Sequence, residues 1–180
     1  MRLFFALWPD DDARARIAKA ALALRLAVDA RSVPQENYHT TLAFVGEVSM
    51  PQLTVLQQIG RAQRAAACTI RFDAYDYWRD SHVVVAVARE SPASLTLLSA
   101  QLHRDLTLLR PNLILESPQA PLRTHITLAR KVAQAPVLPA MSPFGWTARS
   151  FSLVRSDTSG ARSVYTVVDT WPLLYETPKA

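Results

Sequence analysis

The sequence has few of the residues that build several common kinds of functional site. It contains one cysteine, four glycines and four histidines among 180 residues. Cys68 alone excludes an intrachain disulfide framework and a cysteine-based zinc or iron–sulfur site, and it fits a reducing compartment. The glycines are too dispersed for a GxGxxG or GxxxxGKS/T phosphate loop. Proton-transfer chemistry near neutral pH therefore depends mostly on the four histidines.

Negative charge and lysine are also scarce. The formal net charge is +5, and 17 of the 20 basic residues are arginine. Arginine makes planar, bidentate contacts with phosphate, so an anionic ligand is one interpretation. The other is arginine that is simply solvated at the surface. The sequence contains no run of five basic residues, so a basic nucleic-acid-binding tail is not expected.

Long apolar runs are absent too. The first ten residues hold an apolar stretch followed by Pro9 and three aspartates, which favours a buried strand over a signal peptide. No run approaches the roughly 18 residues of a membrane span. We therefore expect a soluble, cytoplasmic protein with no membrane partner.

Apolar spacing and turn residues predict the order of helices and strands. Strands are expected at about 2–8, 38–45, 68–79, 82–89, 122–131, 147–156 and 163–171. Helices are expected from about 11 to 29, from Ser49-Pro51 onward, and from Ser91-Pro92 to Pro111. A Pro-containing loop is expected before residue 122, and residues 133–146 have no regular pattern. This order predicts one α+β domain, 1–180, with helices outside mixed or antiparallel sheet.

Two short segments repeat the same pattern. Residues 39–43 read HTTLA and residues 125–129 read HITLA, so both follow H-x-T-L-A. With 13 threonines and 23 leucines in the chain, chance produces such a matched pair about once in two thousand sequences. Both copies lie on predicted strands, which indicates a shared role.

Strand geometry places the polar side chains of each copy together. Side chains two residues apart share a face, so His39 projects beside Thr41 and His125 beside Thr127. The leucine that follows each threonine points the other way, into the core. If the two strands lie near each other, two imidazoles and two hydroxyls converge on one cleft.

Two imidazoles that flank a phosphorus atom suit an in-line displacement. One acts as a general base on water, while the other, protonated, gives its proton to the leaving alkoxide. The threonine hydroxyls donate to the non-bridging oxygens. No metal or cofactor is required, and a zinc site at His39 and His125 is disfavoured because no carboxylate or cysteine has ligand spacing. A single His-Thr pair that only satisfies a strand edge is the structural alternative, which the matched pair argues against.

At this point the chain resembles the 2H phosphoesterase superfamily, defined by two H-x-S/T-apolar motifs, and within it the RNA 2',3'-cyclic phosphodiesterase (2'-5' RNA ligase) family. The resemblance covers nearly the whole chain: residues 2–7, 37–46 and 125–131, then Ser156 and Tyr165. It implies two pseudo-symmetric α+β lobes around a central cleft, with one motif on each, 39–42 and 125–128. It also implies hydrolysis of an RNA terminal 2',3'-cyclic phosphate to a 2'-phosphomonoester, with weak, reversible 2'-5' ligation.

The resemblance also implies roles for individual residues. His39 would be the proton donor to the 3' oxygen, and His125 the acceptor that activates water. Thr41 and Thr127 would hold the phosphate. Arg130 would match the family's arginine just after the second motif.

Arg130 poses a geometric difficulty. Strict alternation places it on the face opposite His125, so a bulge, a twist or a side chain wrapped around the strand end must re-aim it. Arg123 shares the His125 face and is a second candidate for substrate binding.

Aromatic residues offer candidates for stacking on a base. They are Tyr38, Phe44, Trp78, Trp146 and Tyr165. A core role is the alternative for each, and Trp146, in the irregular Pro-containing stretch, is the favoured substrate-binding candidate. His82 and His103 lack a partner pattern and are interpreted as structural or surface residues.

Other functions remain compatible with the motifs. A 2'-5' oligonucleotide phosphodiesterase or an ADP-ribose cyclic phosphodiesterase would use the same four residues, because the cleft walls set substrate choice. From a different class, a non-catalytic RNA- or nucleotide-binding module is possible. The expected partner is RNA or a nucleotide with a 2',3'-cyclic phosphate end, bound by a monomer.

Overall fold

The computed structural model describes residues 1–26, 28–109, 122–160 and 163–174 of the chain. The described strands are β1 (Arg2–Leu7), β2 (Arg31–Ser32), β3 (Thr40–Glu47), β4 (Cys68–Phe72), β5 (Ala74–Trp78), β6 (Val83–Val87), β7 (His125–Arg130), β8 (Phe144–Ala148), β9 (Ser150–Asp157) and β10 (Val164–Pro172). The described helices are α1 (Asp11–Arg25), α2 (Met50–Ala62) and α3 (Ala93–Leu109). None of these helices is long and apolar enough to cross a membrane.

The strands form two four-stranded sheets and one two-stranded ribbon. The first sheet has the order β10-β9-β1-β3, the second has the order β2-β7-β6-β5, and β4 pairs with β8. The pairs are antiparallel, which confirms the predicted α+β class with antiparallel sheet. Each four-stranded sheet carries one H-x-T-L-A copy. The assignment of the two copies to two lobes of one domain stays a prediction.

Helix starts follow the capping residues seen in the sequence. The Asp10 side chain accepts a hydrogen bond from the Ala13 amide at 2.8 Å and begins α1. At α2, the Ser49 amide donates to Gln52 Oε1 at 2.8 Å, which completes a capping box just before Pro51. These contacts satisfy backbone amides that have no partner within the helix.

Helix α1 is shorter than predicted. It ends at Arg25 rather than near residue 29. Its buried residues are Ala13, Ile17, Ala21 and Leu24, the 3.6-residue spacing of one face. Ala27 lies outside the described residues, as does the loop expected before residue 122.

Helix α3 supports the first motif from behind. Its buried leucines are Leu95, Leu98, Leu102 and Leu106, as the sequence predicts. Between them, the buried Ser99 hydroxyl donates to the backbone oxygen of Leu42 on β3 at 2.7 Å. This bond, together with apolar packing, fixes the motif strand against the helix.

Strand β1 is apolar on both faces. Leu3, Phe5 and Leu7 enter the main core, whereas Phe4 and Ala6 lie on the other face with Val154. Trp8 and Tyr165 pack against that second cluster. Because β1 is the direct neighbour of β3, this second face brings aromatic rings to the start of the first motif.

Three sequence expectations are corrected here. The single strand predicted at 68–79 is wrong, because β4 and β5 belong to different sheets and part at Asp73. The irregular stretch predicted at 133–146 ends earlier, where β8 begins at Phe144. Strand β7 begins at His125 rather than at residue 122. The two-residue strand β2 carries no sequence pattern and forms by pairing with β7.

Candidate active site

His39 lies immediately before β3 in an aromatic enclosure. Its ring centroid is 5.0 Å from that of Phe4, 5.2 Å from Tyr165 and 5.6 Å from Trp8, and the Trp8 ring is nearly parallel to it. Strands β1 and β10 supply Phe4 and Tyr165, and Trp8 follows β1 directly. The Trp8 ring therefore stacks on the imidazole, and the rings of Phe4 and Tyr165 pack around it.

His125 is the first residue of β7 and packs against one ring. The centroid of Trp78, at the end of β5, is 4.3 Å from that of the imidazole. The environment of His125 thus differs from that of His39, although the two motifs share one sequence pattern.

Both histidines make the same backbone hydrogen bond. Nδ1 of His39 lies 2.7 Å from the carbonyl oxygen of Asn37, and Nδ1 of His125 lies 2.7 Å from that of Arg123. A carbonyl oxygen only accepts, so Nδ1 carries the proton in each ring. Nε2 is then the nitrogen that exchanges a proton with a ligand. The carbonyl two residues before each histidine is therefore the group that sets its tautomer.

A β-bulge occurs at the same place in both motifs. On β3, Thr41 and Ala43 pair with consecutive residues of β1, and Leu42 is the extra residue. On β7, Thr127 and Ala129 pair with consecutive residues of β6, and the extra residue is Leu128. In each copy the leucine and the following alanine are both buried. The shared bulge is a second, independent likeness between the copies.

The bulges change which face the later residues occupy. Because two consecutive residues face the core, the residue five places after each histidine returns to the histidine face. In the second motif this residue is Arg130, which lines the same cavity as His39 and Thr127. In the first motif it is Phe44, whose ring centroid lies 6.2 Å from that of Phe4. The geometric difficulty with Arg130 is thereby resolved by a bulge.

A hydrogen bond joins the two motifs directly. The fully buried Thr40 hydroxyl donates to the backbone oxygen of His125 at 3.0 Å. Since Thr40 follows His39, this bond ties the start of β3 to the start of β7 and holds the two histidine backbones as neighbours. The sequence pattern left this position as an unspecified residue of the motif, so its bridging role was missed.

Burial and nearby positive charge make both imidazoles weakly basic. Burial lowers the pKa of His39 from 6.5 to about 4; the bond to Asn37 opposes this shift, and the charges of Arg130 and His125 add to it. Burial also lowers the pKa of His125, with the charges of Arg123 and Arg130 adding to the effect against the bond to the Arg123 carbonyl. Both rings are thus neutral at pH 7 in the free protein, and a bound anion would raise both pKa values.

A cavity of about 230 Å³ opens beside His39. Thr127 and Arg130 line it, and Arg31, Lys131 and Tyr165 extend its wall. His125 and Thr41 lie next to this cavity rather than in its lining. His125 is two residues from Thr127 on the same face of β7, about 7 Å along the strand. Thr41 is half-buried and two residues beyond His39.

Arg123 is engaged in a network beside His125 rather than in the cavity. Its guanidinium donates to Asp76 at 2.8 Å and lies 4.9 Å above the Trp78 ring. The Trp78 indole N–H donates to the same Asp76 carboxylate at 2.9 Å. Asp76 therefore binds both Trp78, whose ring packs on His125, and Arg123, whose backbone carbonyl fixes the His125 tautomer.

Of the aromatic residues considered for stacking on a base, two are buried and three lie near the histidines. Trp146 lies on β8, 2% exposed and packed near Phe72, so the prediction that it stands in an irregular loop is wrong and its indole is not accessible to a base. Tyr38 is also buried. Phe44, Trp78 and Tyr165 remain at or near the histidines.

The other two histidines do not line the cavity beside His39. His82, in the turn just before β6, has Nδ1 3.2 Å from the Val132 carbonyl oxygen. His103 on α3 contacts the Ser99 carbonyl oxygen at 2.7 Å. Within the described ranges, no three His, Cys, Asp or Glu side chains are grouped so that they could hold a metal ion.

A family model connects this geometry to known proteins. The model of the 2'-5' RNA ligase superfamily matches residues 9–160. The chain belongs to this superfamily. The match spans both H-x-T-L-A copies, the bulges and Arg130, so the repeat lies inside the region that defines the superfamily.

Individual relatives are similar to this chain over nearly its whole length. An RNA 2',3'-cyclic phosphodiesterase of Thermus thermophilus is 29% identical over 179 residues, covering 96% of this chain and 90% of the relative. A protein of the same name from Escherichia coli is 29% identical over 174 residues, covering 96% of both chains. Among solved structures, TT0787 of Thermus thermophilus superimposes with a TM-score of 0.84 at 28% identity, covering 98% of this chain and 100% of that one.

Substitution of Asp76 tests whether it positions His125. Asp76→Asn removes the charge that neutralises the Arg123 guanidinium and weakens the indole bond. We expect kcat/KM for a cyclic phosphate substrate to fall by about tenfold, since a small misplacement of a reacting group is costly. The pKa of His125, measured by NMR titration, falls further, because the Arg123 charge is no longer offset.

Asp80→Asn, in the exposed turn that follows β5, is the matched control for this substitution. It should leave kcat/KM and the His125 titration as in the wild type. An Asp76→Asn protein with a reduced rate but an unchanged His125 pKa would contradict a positioning role.

The low pKa of His39 predicts a specific loss of stability in acid. The folded protein keeps His39 neutral down to about pH 4, whereas in the unfolded chain the group is protonated below about 6.5. The unfolded chain then binds more protons, so the free energy of unfolding falls as pH falls through this window, by about 3 kcal/mol in total. Urea unfolding at pH 7 and at pH 4, for the wild type and His39→Gln, measures this contribution.

The glutamine variant has no proton to bind at that position and should lose correspondingly less stability across the same window. Equal losses in the two proteins would contradict the buried, neutral state of His39.

Proposed function

We propose that the protein is a cyclic phosphodiesterase that opens the 2',3'-cyclic phosphate at RNA ends and leaves a 2'-phosphomonoester. The observation that carries this proposal is the matched pair of imidazoles, each with Nδ1 bonded to a carbonyl, joined through Thr40 and influenced by the charge of Arg130. The names of the two curated relatives support the same reaction.

In the proposed step, the two Nε2 atoms move protons in opposite directions. His125 takes a proton from water as the water oxygen bonds to phosphorus, and the bond from phosphorus to O3' breaks. His39 gives its proton to O3'. The product carries a 3'-hydroxyl and a 2'-phosphate, and proton exchange with solvent restores both rings. Proton transfer and positive charge both come from side chains, so the step needs neither metal nor cofactor.

Binding of the substrate favours protonation of one of the two histidines. The negative charge of the cyclic phosphate raises the pKa of each imidazole, which allows one of them to be protonated near neutral pH. Because His39 is the more desolvated of the two, its imidazolium is a strong acid toward the leaving alkoxide. The assignment of His39 as donor and His125 as acceptor follows the order of the two motifs in the family that the chain resembles.

Three further side chains stabilise the phosphoryl group in the proposal. Thr41 and Thr127 donate hydroxyl hydrogen bonds to the non-bridging oxygens, and Arg130 supplies a positive charge from the cavity wall. Charge on those oxygens grows in the transition state, so donors already in place act there more than on the bound substrate.

The same site would also form 2'-5' links. If the 5'-hydroxyl of a second RNA replaces water as the nucleophile, it attacks the same phosphorus and O3' leaves. The product is then a 2'-5' phosphodiester, and its reversal is cleavage of that link. Incubation of a cyclic-phosphate RNA with a 5'-hydroxyl RNA, followed by digestion with a 3'-5'-specific nuclease, would reveal a resistant junction.

The direct test uses adenosine 2',3'-cyclic phosphate and purified protein in EDTA. We expect turnover to 2'-AMP, lost in the His39→Gln, His125→Gln double variant. Absence of turnover between pH 5 and pH 8, or turnover that survives the double variant, would overturn the proposal. Tight binding without turnover would instead indicate a non-catalytic nucleotide-binding module.

We further propose that the protein acts as a monomer in the cytoplasm. Every residue of the proposed site comes from one chain, so no second copy is required to complete it. Sedimentation equilibrium combined with an activity assay over a range of protein concentrations tests this, and specific activity that rises with dimer formation would contradict it.

A further inference from the structure

Two arginines stand side by side on one wall of the cavity. Arg31 on β2 is the antiparallel partner of Arg130 on β7. Directly opposed residues of an antiparallel pair project from the same face with Cβ atoms about 5 Å apart. Both residues line the cavity beside His39. Like charges at such positions repel, and an anion bound between them converts the repulsion into attraction.

Lys131 adds a third cation through an unusual backbone conformation. Its φ of 60° is in the left-handed region, which a residue with a Cβ rarely adopts. The next residue, Val132, holds the turn by donating its amide to the His82 carbonyl at 3.1 Å. In a regular strand Lys131 would point away from Arg130, but with this turn it lines the same cavity. Backbone conformations of this kind concentrate at functional positions.

The rest of the wall is suited to an anion. The described residues that line the cavity include the three cations and the hydroxyl groups of Ser32, Thr158 and Ser163, but no aspartate or glutamate. Guanidinium, ammonium and hydroxyl donors without a competing carboxylate are the chemistry of a phosphate site.

The position of these cations separates them from the reacting phosphate. His39 and Thr127 belong to the cavity lining, and the cyclic phosphate is proposed to bind at these two residues. Because of the bulge at Leu128, Thr127 pairs with Val85 and Arg130 pairs with Val83, so the two residues are about 7 Å apart along the strand. Arg31 lies on the next strand, about 5 Å further across. The long Arg130 side chain reaches toward a phosphate at Thr127, and Arg31 and Lys131 line the cavity further from Thr127.

We infer that Arg31 and Lys131, together with Arg130, form a second anion subsite that binds the phosphate on the 5' oxygen of the terminal nucleotide. This inference rests on the proposed function, because the cyclic phosphate at His39 and Thr127 defines the neighbouring position. The subsite raises kcat/KM for cyclic ends that carry a further phosphate above that for adenosine 2',3'-cyclic phosphate. That phosphate is either the internucleotide diester of an RNA chain or the 5'-monophosphate of a single nucleotide.

Three substrates distinguish an internucleotide phosphate from a 5'-monophosphate as the group that the subsite binds. They are adenosine 2',3'-cyclic phosphate, the same nucleotide with a 5'-phosphate, and the dinucleotide ApA with a 2',3'-cyclic end. We expect kcat/KM to be at least about tenfold higher for one or both of the longer substrates, and this preference to shrink as salt rises. In Arg31→Gln and in Lys131→Gln, the ratio of kcat/KM between longer and shortest substrate falls about tenfold. The exposed Arg71→Gln on β4 serves as the matched control and keeps the wild-type ratio.

The possible results separate this inference from the function on which it rests. If wild-type protein hydrolyses none of the three substrates, the proposed function fails. If it hydrolyses all three at equal kcat/KM, or if Arg31→Gln with Lys131→Gln keeps the wild-type preference, the reaction stands and the subsite is overturned. A kcat/KM that is higher than that of adenosine 2',3'-cyclic phosphate supports the subsite. Whether the 5'-monophosphate or the dinucleotide shows the greater increase identifies which phosphate the subsite binds.

Discussion

Replacement of either His39 or His125 with glutamine is expected to lower kcat for cyclic phosphate hydrolysis by about a thousandfold, within the 10²–10⁴ range of a single general acid or base. Glutamine preserves approximate size and polarity but carries no titratable proton. Because the two rings act in one concerted step, the double variant should be little slower than the slower single variant. Single-turnover rates with adenosine 2',3'-cyclic phosphate measure the loss.

His103→Gln is the matched control for these histidine variants. His103 also bonds through Nδ1 to a backbone carbonyl, that of Ser99 at 2.7 Å, but it lies on α3 and does not line the cavity beside His39. We expect its activity to remain at the wild-type level. A loss of less than tenfold in His39→Gln or in His125→Gln would show that the ring does not transfer the proton that limits the reaction.

Replacement of Arg130 with glutamine should have two linked effects. We expect kcat/KM to fall by about a hundredfold, as for removal of a preorganised donor to a developing negative charge. We also expect the pKa of both His39 and His125 to rise, because the Arg130 charge lowers each of them in the free protein. NMR titration of the two Cε1 protons reports both values in one experiment.

Arg123→Gln removes the same charge as Arg130→Gln, but from a position outside the cavity. Its guanidinium lowers the pKa of His125 but does not act on His39, and it is bonded to Asp76 outside the cavity. The variant should therefore raise the pKa of His125 alone and should retain far more activity than Arg130→Gln. An Arg130→Gln protein with both histidine pKa values unchanged would contradict an electrostatic effect of that side chain on the two rings.

The motif pair is the part of the site that sequence reasoning could reach. Alternation along a strand places each histidine beside a threonine, and both copies do lie at strand starts in the structure. Arg130 could not be placed in this way, because a bulge at Leu128 adds one residue to the strand and reverses the faces after it. A bulge leaves no mark in an H-x-T-L-A pattern.

The surroundings of the histidines depend on contacts distant in sequence. The alternation of β1 separates Phe4 and Trp8 from the core-facing residues, but only the sheet order places that face against His39. The prediction for Trp146 was wrong for a related reason: three prolines precede it, and the β8 ribbon that buries it forms by pairing with β4. Pairing partners, rather than local propensity, decided both outcomes.

Capping residues, in contrast, allow the start of a helix to be predicted from the sequence alone. Ser49 followed by Pro51 predicts where α2 begins, and the structure adds Gln52 as the partner that completes a capping box. Such signals succeed because the hydrogen bonds concerned join residues three apart, so the sequence contains both partners.

The most direct test of a two-histidine site is a crystal structure with 2'-AMP, the product of the proposed reaction. We predict that Nε2 of His39 and Nε2 of His125 each lie within about 3.2 Å of an oxygen of the same nucleotide, with the 2'-phosphate between the rings. We also predict that Nδ1 of each ring keeps its bond to the carbonyl two residues earlier. A complex in which the phosphate contacts only one imidazole, or in which the rings face different surfaces, would contradict the proposed mechanism.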